Sequence, residues 1–521
     1  MKREDLIGRI ADTSQVWDMA VVGGGATGLG IALDAALRGF SVVLFEQSDF
    51  SKGTSSRSTK LVHGGVRYLE KGDVGLVMEA LRERGLLLRN APHLVKDQSF
   101  VIPNYRLWDN VLYTAGLTFY DLLAGRLGFG RSRYLSRRRT LEMLPAIRVE
   151  GLRGGVLYHD GQFDDSRLAV NLMQSCIAEG AVPVNYMKVT GLIHDVRGRA
   201  AGVQVTDLET GASYSVRSTV VVNAAGVFVD DVVRMDDPGA DPLVRPSQGV
   251  HLVLDRSFLE SESALMIPKT SDGRVLFAVP WHGKVVVGTT DVLRERPELE
   301  PRPLEQEIAF ILKTAGLYMA RKPDRSDVRS VFAGQRPLAA PKRAGQSTKE
   351  ISRRHKIIVS ENRLITVTGG KWTTYRRMAQ DTVDRAIGLG LLPRRPCTTA
   401  SYHIHGYRPS PDPGNHLCIY GSDMPAVQEL MLSAPEMAVP LSPDYPYTAA
   451  EAVWAVRHEM ARTVEDILAR RLRLLFLDAR AAVEAAPAVA HIVAGELGYG
   501  RQWEERQVKA FAGLASGYEL A

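Results

Sequence analysis

Short, uninterrupted apolar runs that stop at small residues dominate the first half of the chain. Met19-Ala-Val-Val22 stops at Gly23-Gly24-Gly25 and leads into an apolar pattern at helical spacing, and Ser41-Val-Val-Leu-Phe45 stops at Glu46. Runs of this length without polar alternation mark strands buried on both faces, so a parallel sheet covered by helices is expected. Tyr214-Ser-Val-Arg-Ser-Thr-Val-Val-Val222, running into Asn223-Ala-Ala-Gly226, and Leu364-Ile-Thr-Val-Thr368, running into Gly369-Gly370, repeat the strand-then-turn pattern. They predict returns to that sheet.

Between these runs the pattern changes twice. From Val66 to about Arg139, Leu76, Val77, Ala80, Leu81, Leu87 and Leu88 recur at helix spacing and predict mainly helix. A β-rich stretch from Leu152 to Val222 follows, then His251-Leu-Val-Leu254, Val275-Leu-Phe-Ala-Val279 and Val285-Val-Val-Gly288. The chain thus predicts a mixed α/β and α+β fold: a Rossmann-like domain over 1–390, interleaved with a β-rich substrate domain at about 66–150 and 230–350. Pro393, Pro396, Pro409, Pro411 and Pro413 predict a linker over 391–446. Thr448-Ala-Ala-Glu451 has capping-box spacing, and Val453, Val456, Met460, Val464, Ile467 and Leu468 share a helical face, so 447–521 is expected as a separate C-terminal helical domain.

The first glycine cluster carries chemistry. A strand that turns sharply into a helix, with a pyrophosphate close to its backbone, wants residues without Cβ at Gly23, Gly25 and Gly28. The helix N-terminus then faces the phosphates. Glu46, ending the second strand, is placed to accept hydrogen bonds from an unphosphorylated adenosine ribose, as in FAD or NAD.

Composition limits the rest. A chain of 521 residues exceeds one ordinary core. The three cysteines, Cys176, Cys397 and Cys418, are too far apart for a zinc knuckle or a CxxC pair, so no metal site and a reducing compartment are expected. The start Met1-Lys-Arg-Glu-Asp is charged and has no apolar signal segment, and no apolar run reaches the roughly 18 to 20 residues of a membrane span. Net charge is only +6, but Arg126, Arg131, Arg133, Arg137, Arg138 and Arg139 follow the aromatic apolar stretch Val111–Tyr120. Apolar anchor beside basic residues suits an anionic bilayer surface. A cytoplasmic protein, peripherally associated with the membrane, is the resulting expectation; a core-packed helix with a solvated basic loop, or a nucleic-acid patch, remain alternatives.

Thr54-Ser-Ser-Arg-Ser-Thr-Lys60-Leu-Val-His63-Gly-Gly-Val-Arg67-Tyr68-Leu69 resembles the second signature of FAD-dependent glycerol-3-phosphate dehydrogenases. Gly288-Thr-Thr-Asp291, Gly334-Gln-Arg336-Pro-Leu338, Gly369-Gly-Lys371-Trp-Thr-Thr-Tyr375 and the tail Ala455-Val-Arg-His-Glu-Met-Ala-Arg462 resemble the same family. One departure is Val227-Phe228, where the family often has Trp after the Asn-Ala-x-Gly turn.

The resemblance implies non-covalent FAD and oxidation of sn-glycerol 3-phosphate to dihydroxyacetone phosphate, with electrons passed to a membrane quinone. Such a site needs fixed cations for a phosphate and one base for the hydroxyl proton. Arg336, expected on a turn, and Arg353 offer planar forks to phosphate, and Arg67 and Tyr68 are implied to line the substrate site. His63 is the candidate base, and Lys371 the cation near the flavin or substrate. Thr54, Ser55, Ser56 and Lys60 are assigned to the flavin's phosphate and ribityl side and Val189 to adenine. Gly226, Gly370, Thr373 and Thr374 are assigned to the remaining cofactor contacts, and Asp291 either to structure or to the support of a site residue. An oxygen-using oxidase, an RNA-binding or RNA-modifying flavoprotein, and an amine oxidase remain as alternatives, and a homodimer is left open.

Overall fold

The computed structural model describes residues 2–69, 72–270, 273–339, 354–412 and 414–520, except the side chains of Arg67 and Arg126. The buried apolar runs do form one parallel sheet. Its strands lie in the order Ile365–Thr368, Ser213–Asn223, Val16–Val22, Val42–Phe45 and Val182–Val184. Lys356–Val359 is added antiparallel at one edge, and the hairpin Met187–His194 and Ala200–Asp207 pairs antiparallel with Ser213–Asn223. Every residue of Val42–Phe45 is buried, because helices Ala26–Leu37, Asp165–Ala178 and Tyr375–Gly388 pack together over the sheet. Contact is close enough that a Cβ on Gly30 would lie 2.9 Å from the Tyr375 ring.

Among the described residues a second sheet has ten strands and is largely antiparallel. Its long members are Val95–Asn104 against Gly154–Phe163, and Val244–Asp255 against Val328–Ala339. The two sheets exchange chain repeatedly, as expected, but the boundaries differ. Val95–Asn104 is a strand inside the stretch predicted to be mainly helical, since Phe100 to Asn104 are all buried in the sheet. Gly154–Phe163 joins this second sheet rather than the nucleotide sheet, and Leu61–Val62 pairs with it, so the first substrate segment runs from about 61 to 163.

Residues 391–446 are not a linker. They fold into short helices, among them Met424–Ser433, and Ile404, Leu417, Tyr420 and Val427 are buried in the main core. Proline sets direction changes here, while the apolar residues between them fix the segment to the body.

The tail is helical but not separate. Helices Ala449–His458, Ala479–Leu497 and Arg501–Ala515 share a core with Val253, Trp281, Val286 and Phe332 of the second sheet, and the rings of Phe332 and Phe476 lie 4.9 Å apart. Three buried arginines of the tail reach into the nucleotide domain. Arg471 donates to both Asp49 oxygens at 2.6 and 2.9 Å, Arg470 also pairs with Asp49, and Arg473 donates to Asp165 at 3.0 Å. Arg167 answers in the other direction, pairing with the tail's Glu459.

Burial alone would raise the Asp49 carboxyl, but Arg471 and Arg470 hold it at about 2, below its ordinary 3.8. Glu300, held by Arg57 and Lys52, is likewise brought to about 2 from 4.5. Depressed carboxylates contribute stability above their unfolded pKa and lose it as pH falls through the folded value. The melting temperature should therefore drop steeply between pH 4.5 and about 2. Asp49→Asn, which takes from buried Arg471 its two-point acceptor and from Arg470 one of its three carboxylates, should cost about 3–5 kcal/mol at neutral pH and flatten that acid limb. Circular-dichroism melts of both proteins across this range would check it; superimposable curves would contradict the assignment.

Candidate active site

A cavity of about 560 Å³ opens at the carboxyl ends of the parallel strands, where Val22, Phe45, Ala224 and Gly369 follow or end their strands. This edge is where open α/β sheets bind ligands. Of the residues assigned to the cofactor from sequence, Gly23, Gly25, Glu46, Thr54, Ser55, Val189, Gly226, Gly370 and Lys371 line it.

Gly23 has φ +109°, and a Cβ on it would lie 2.6 Å from the Ala224 carbonyl oxygen. Gly28 is behind the wall: a Cβ there would meet the Gly23 oxygen at 1.8 Å, so this glycine closes the helix onto the strand. Helix Ala26–Leu37 starts at Gly25 without a side-chain cap, and Ala26 and Thr27 stand in the cavity wall. The positive end of the helix dipole is therefore presented through backbone, as a phosphate requires.

Glu46 accepts from the Gly24 N–H at 2.7 Å and from the Ser48 N–H at 2.9 Å. Enclosure pushes its carboxyl up, and these two amides work against that shift. Each carboxylate oxygen has further acceptor capacity for ribose hydroxyls. Glycine turn, helix start in the cavity wall and acidic strand end fit the adenosine and pyrophosphate of FAD.

The opposite wall is tied by hydrogen bonds. Thr54 donates to the Gln335 carbonyl at 2.6 Å, Ser55 Oγ accepts from Ala26 N–H at 3.0 Å, and Trp372 Nε1–H donates to the Ser55 carbonyl at 2.8 Å. Lys371 Nζ lies 4.0 Å from the centre of the Tyr68 ring, and a Cβ on Gly65 would be 3.2 Å from it. The His63 N–H donates to Thr373 Oγ1 at 3.2 Å. His63, Gly65, Tyr68, Lys371 and Thr373 are thus one neighbourhood, although the lining residue among them is Lys371.

Arg336 stands within strand Val328–Ala339, not on a turn, because the strand continues in register against Val244–Asp255. Its guanidinium donates to Thr289 Oγ1 at 3.1 Å and the Thr290 carbonyl at 3.3 Å, and lies 3.7 Å from Asp291. The next residue, Pro337, lines the cavity. Asp291 accepts from Ser247 and stands beside Arg336.

Further assignments change, beginning with Thr373, which is buried on the His63 backbone and does not line the cavity. Lys60 is fully buried and donates to the Ser56 carbonyl at 2.6 Å and Asp165 at 2.7 Å, so its ammonium is committed within the protein. Burial and Arg473, opposed by Asp165, bring it down to about 7. Ser56 is buried on Gly53 and Thr374 on Lys371, through the Lys371 carbonyl, so neither lines the cavity. Arg353 and the Arg67 side chain lie outside the described residues.

Sequence reasoning missed Trp372 as a wall residue and Lys52, which lines the cavity while bonding Glu465 of the tail at 2.5 and 2.7 Å. It also missed the arginine set at 470, 471 and 473. Charges inside an otherwise apolar run, Ile467 to Leu477, were the available signal.

Residues 18–376 match the FAD dependent oxidoreductase family, and residues 363–506 match the C-terminal domain of alpha-glycerophosphate oxidase. A mitochondrial glycerol-3-phosphate dehydrogenase of Arabidopsis thaliana is 39% identical, over 96% of this chain and 85% of its own. That of Saccharomyces cerevisiae is 36% identical, over 97% and 90%. This chain belongs to the FAD-dependent glycerol-3-phosphate dehydrogenase family. The structure of the Bacillus halodurans glycerol-3-phosphate dehydrogenase complexed with FAD superposes with a TM-score of 0.79 at 30% identity, covering 99% of this chain and 97% of that one. An L-alpha-glycerophosphate oxidase from Mycoplasma pneumoniae, at 16% identity and a TM-score of 0.57, shares the fold. The cofactor of this family member is FAD, and the residues lining the cavity fit it.

Glu46→Gln retains shape but removes the charge that holds two amides and would accept from the ribose hydroxyls. FAD affinity should fall about 10- to 100-fold, measured by flavin fluorescence titration of apoprotein. Unchanged affinity would remove Glu46 from the cofactor site.

Proposed function

We propose that this enzyme oxidises sn-glycerol 3-phosphate to dihydroxyacetone phosphate and passes the electrons to a quinone at a membrane surface. The observation that carries the substrate is similarity along nearly the whole chain to proteins named for that reaction, including one complexed with FAD. Bound FAD supplies the two-electron acceptor.

The chain's own residues have defined tasks in this reading. Converting the secondary alcohol to a ketone removes the C2 hydrogen with its electron pair and the hydroxyl proton. His63 receives the proton. Arg336, anchored on Thr289 and Thr290, binds the phosphate, with Arg67 and Arg353 as further candidates. Lys371 adds positive charge where negative charge develops.

Support for the bilayer comes from helix Leu107–Ala124. Leu107, Trp108, Val111, Leu112, Phe119 and Leu122 are exposed, Trp108 and Leu122 each at 73%, while Leu117 and Tyr120 turn inward. Exposed Arg131, Arg133, Arg137, Arg138 and Arg139 follow in sequence, and Ser132 N–H is bonded to Asp121 of the same helix. Among the described residues no helix is long and apolar enough to cross a membrane. An apolar stripe flanked by arginines supports surface attachment on the cytoplasmic face. Transfer of electrons to oxygen is the second reading, favoured by the match of 363–506 to an oxidase's C-terminal domain.

Anaerobic flavin bleaching by sn-glycerol 3-phosphate, and not by the sn-1 isomer, glycerol or a D-amino acid, is the expected result. Arg336→Ala should raise the half-saturating concentration about 100-fold, the loss of a charge-assisted pair to phosphate. Stopped-flow reoxidation by a soluble quinone should outpace that by oxygen; the reverse order would make the protein an oxidase.

Co-sedimentation with phosphatidylglycerol vesicles should drop about tenfold or more in Leu112→Glu. Equal binding of wild type to neutral vesicles would argue against the arginine contribution.

A further inference from the structure

His63 lies between a two-residue strand, Leu61–Val62, and a single 3₁₀ turn, Val66–Tyr68, so little regular backbone fixes its position. What meets this segment from behind is a buried cluster outside the cavity. Tyr120, on the inner face of helix Leu107–Ala124, packs with Val77 and Leu81. Its hydroxyl donates to Asp160 Oδ2 at 2.9 Å, Arg84 Nη1 donates to Asp160 Oδ1 at 2.7 Å, and the Gly64 N–H reaches the same oxygen at 3.4 Å.

The fit leaves no slack at Gly64. A Cβ there would lie 2.4 Å from the Tyr120 hydroxyl oxygen and 2.6 Å from Leu81 Cδ2. Burial and the Asp160 charge push the Tyr120 phenol well above its ordinary range, so it remains a donor. Arg84 is anchored independently, over the Phe129 ring at 4.2 Å and on the His159 carbonyl at 3.3 Å. Two side chains, fixed by different elements, thus orient one carboxylate toward the amide that follows His63.

We propose that Asp160, held between Tyr120 and Arg84, is a positioning residue for His63-Gly64-Gly65, acting from behind the segment while Thr373 bonds the His63 backbone. It sets the placement of the candidate base from outside the cavity, and through Tyr120 it joins that base to the helix whose outer face is apolar and exposed. The inference rests on the reading of His63 as proton acceptor. Reaction rates are sensitive to such placement, at about 100-fold per ångström of displacement.

The test uses FAD-loaded Tyr120→Phe, which deletes one hydroxyl and leaves the ring. The limiting rate of anaerobic bleaching by sn-glycerol 3-phosphate should fall about tenfold, with the half-saturating concentration within about twofold of wild type. Amide hydrogen exchange in 61–69 should accelerate, with FAD content unchanged. Where Tyr120→Phe does not retain FAD, Asp160→Asn carries the same two measurements. Wild-type rate together with wild-type exchange would overturn the proposal. Failure of the wild type itself to bleach would defeat the substrate reading instead, and the exchange measurement would still decide whether Asp160 holds the segment.

Discussion

The crossing of Gly23 and Gly28 at the top of the first strand is the contact on which the site depends. With a Cβ on Gly28 only 1.8 Å from the Gly23 oxygen, any side chain there pries the helix from the strand. The helix N-terminus would then leave the cavity wall, Glu46 would lose the amide of Gly24, and the wall facing Ser55 would open. Cofactor binding in this fold is first a packing problem. The dipole and the carboxylate act only because backbone can approach backbone so closely.

Around that contact the protein uses buried charge rather than a large apolar interface to join the tail to the nucleotide domain. Asp49, Asp165 and Glu459 each meet guanidinium groups, and Lys52 joins the cavity wall to Glu465. Buried pairs of this kind add little net stability over apolar packing, but breaking one is costly. They therefore specify one arrangement of the tail. The segment from Asp49 to Ser56, which carries Thr54 and Ser55 into the cavity, is held from the side away from the cofactor.

The substrate end is organised differently. Its proposed residues come from three places in the chain: His63 and Tyr68, Arg336 on the second sheet, and Lys371 after the last parallel strand. The sheets converge there because Thr54 bonds Gln335 and Trp372 bonds Ser55. The glycine turn and Glu46 belong to the first sheet, whereas the rest of the cavity wall takes in Pro337 of the second, and the proposed substrate residues are drawn from both.

Local pattern was enough for the dinucleotide half. Buried strands of the first sheet, the glycine turn, Glu46 and the capped start of the tail at Thr448 are each decided within a few residues, by burial on both faces or by backbone approach. Signature motifs pointed to His63, Lys371 and Arg336, and of these the fold brings His63 and Lys371 together through Gly65 and Thr373. Tertiary structure decided what depends on distant partners. Val95–Asn104 is a strand because Gly154–Phe163 lies beside it, and the proline-rich 391–446 is folded because its apolar residues find the main core. Lys60 turned from the cofactor to Asp165, 105 positions along the chain, because a buried ammonium goes to the nearest carboxylate, and no local spacing records where that carboxylate will be.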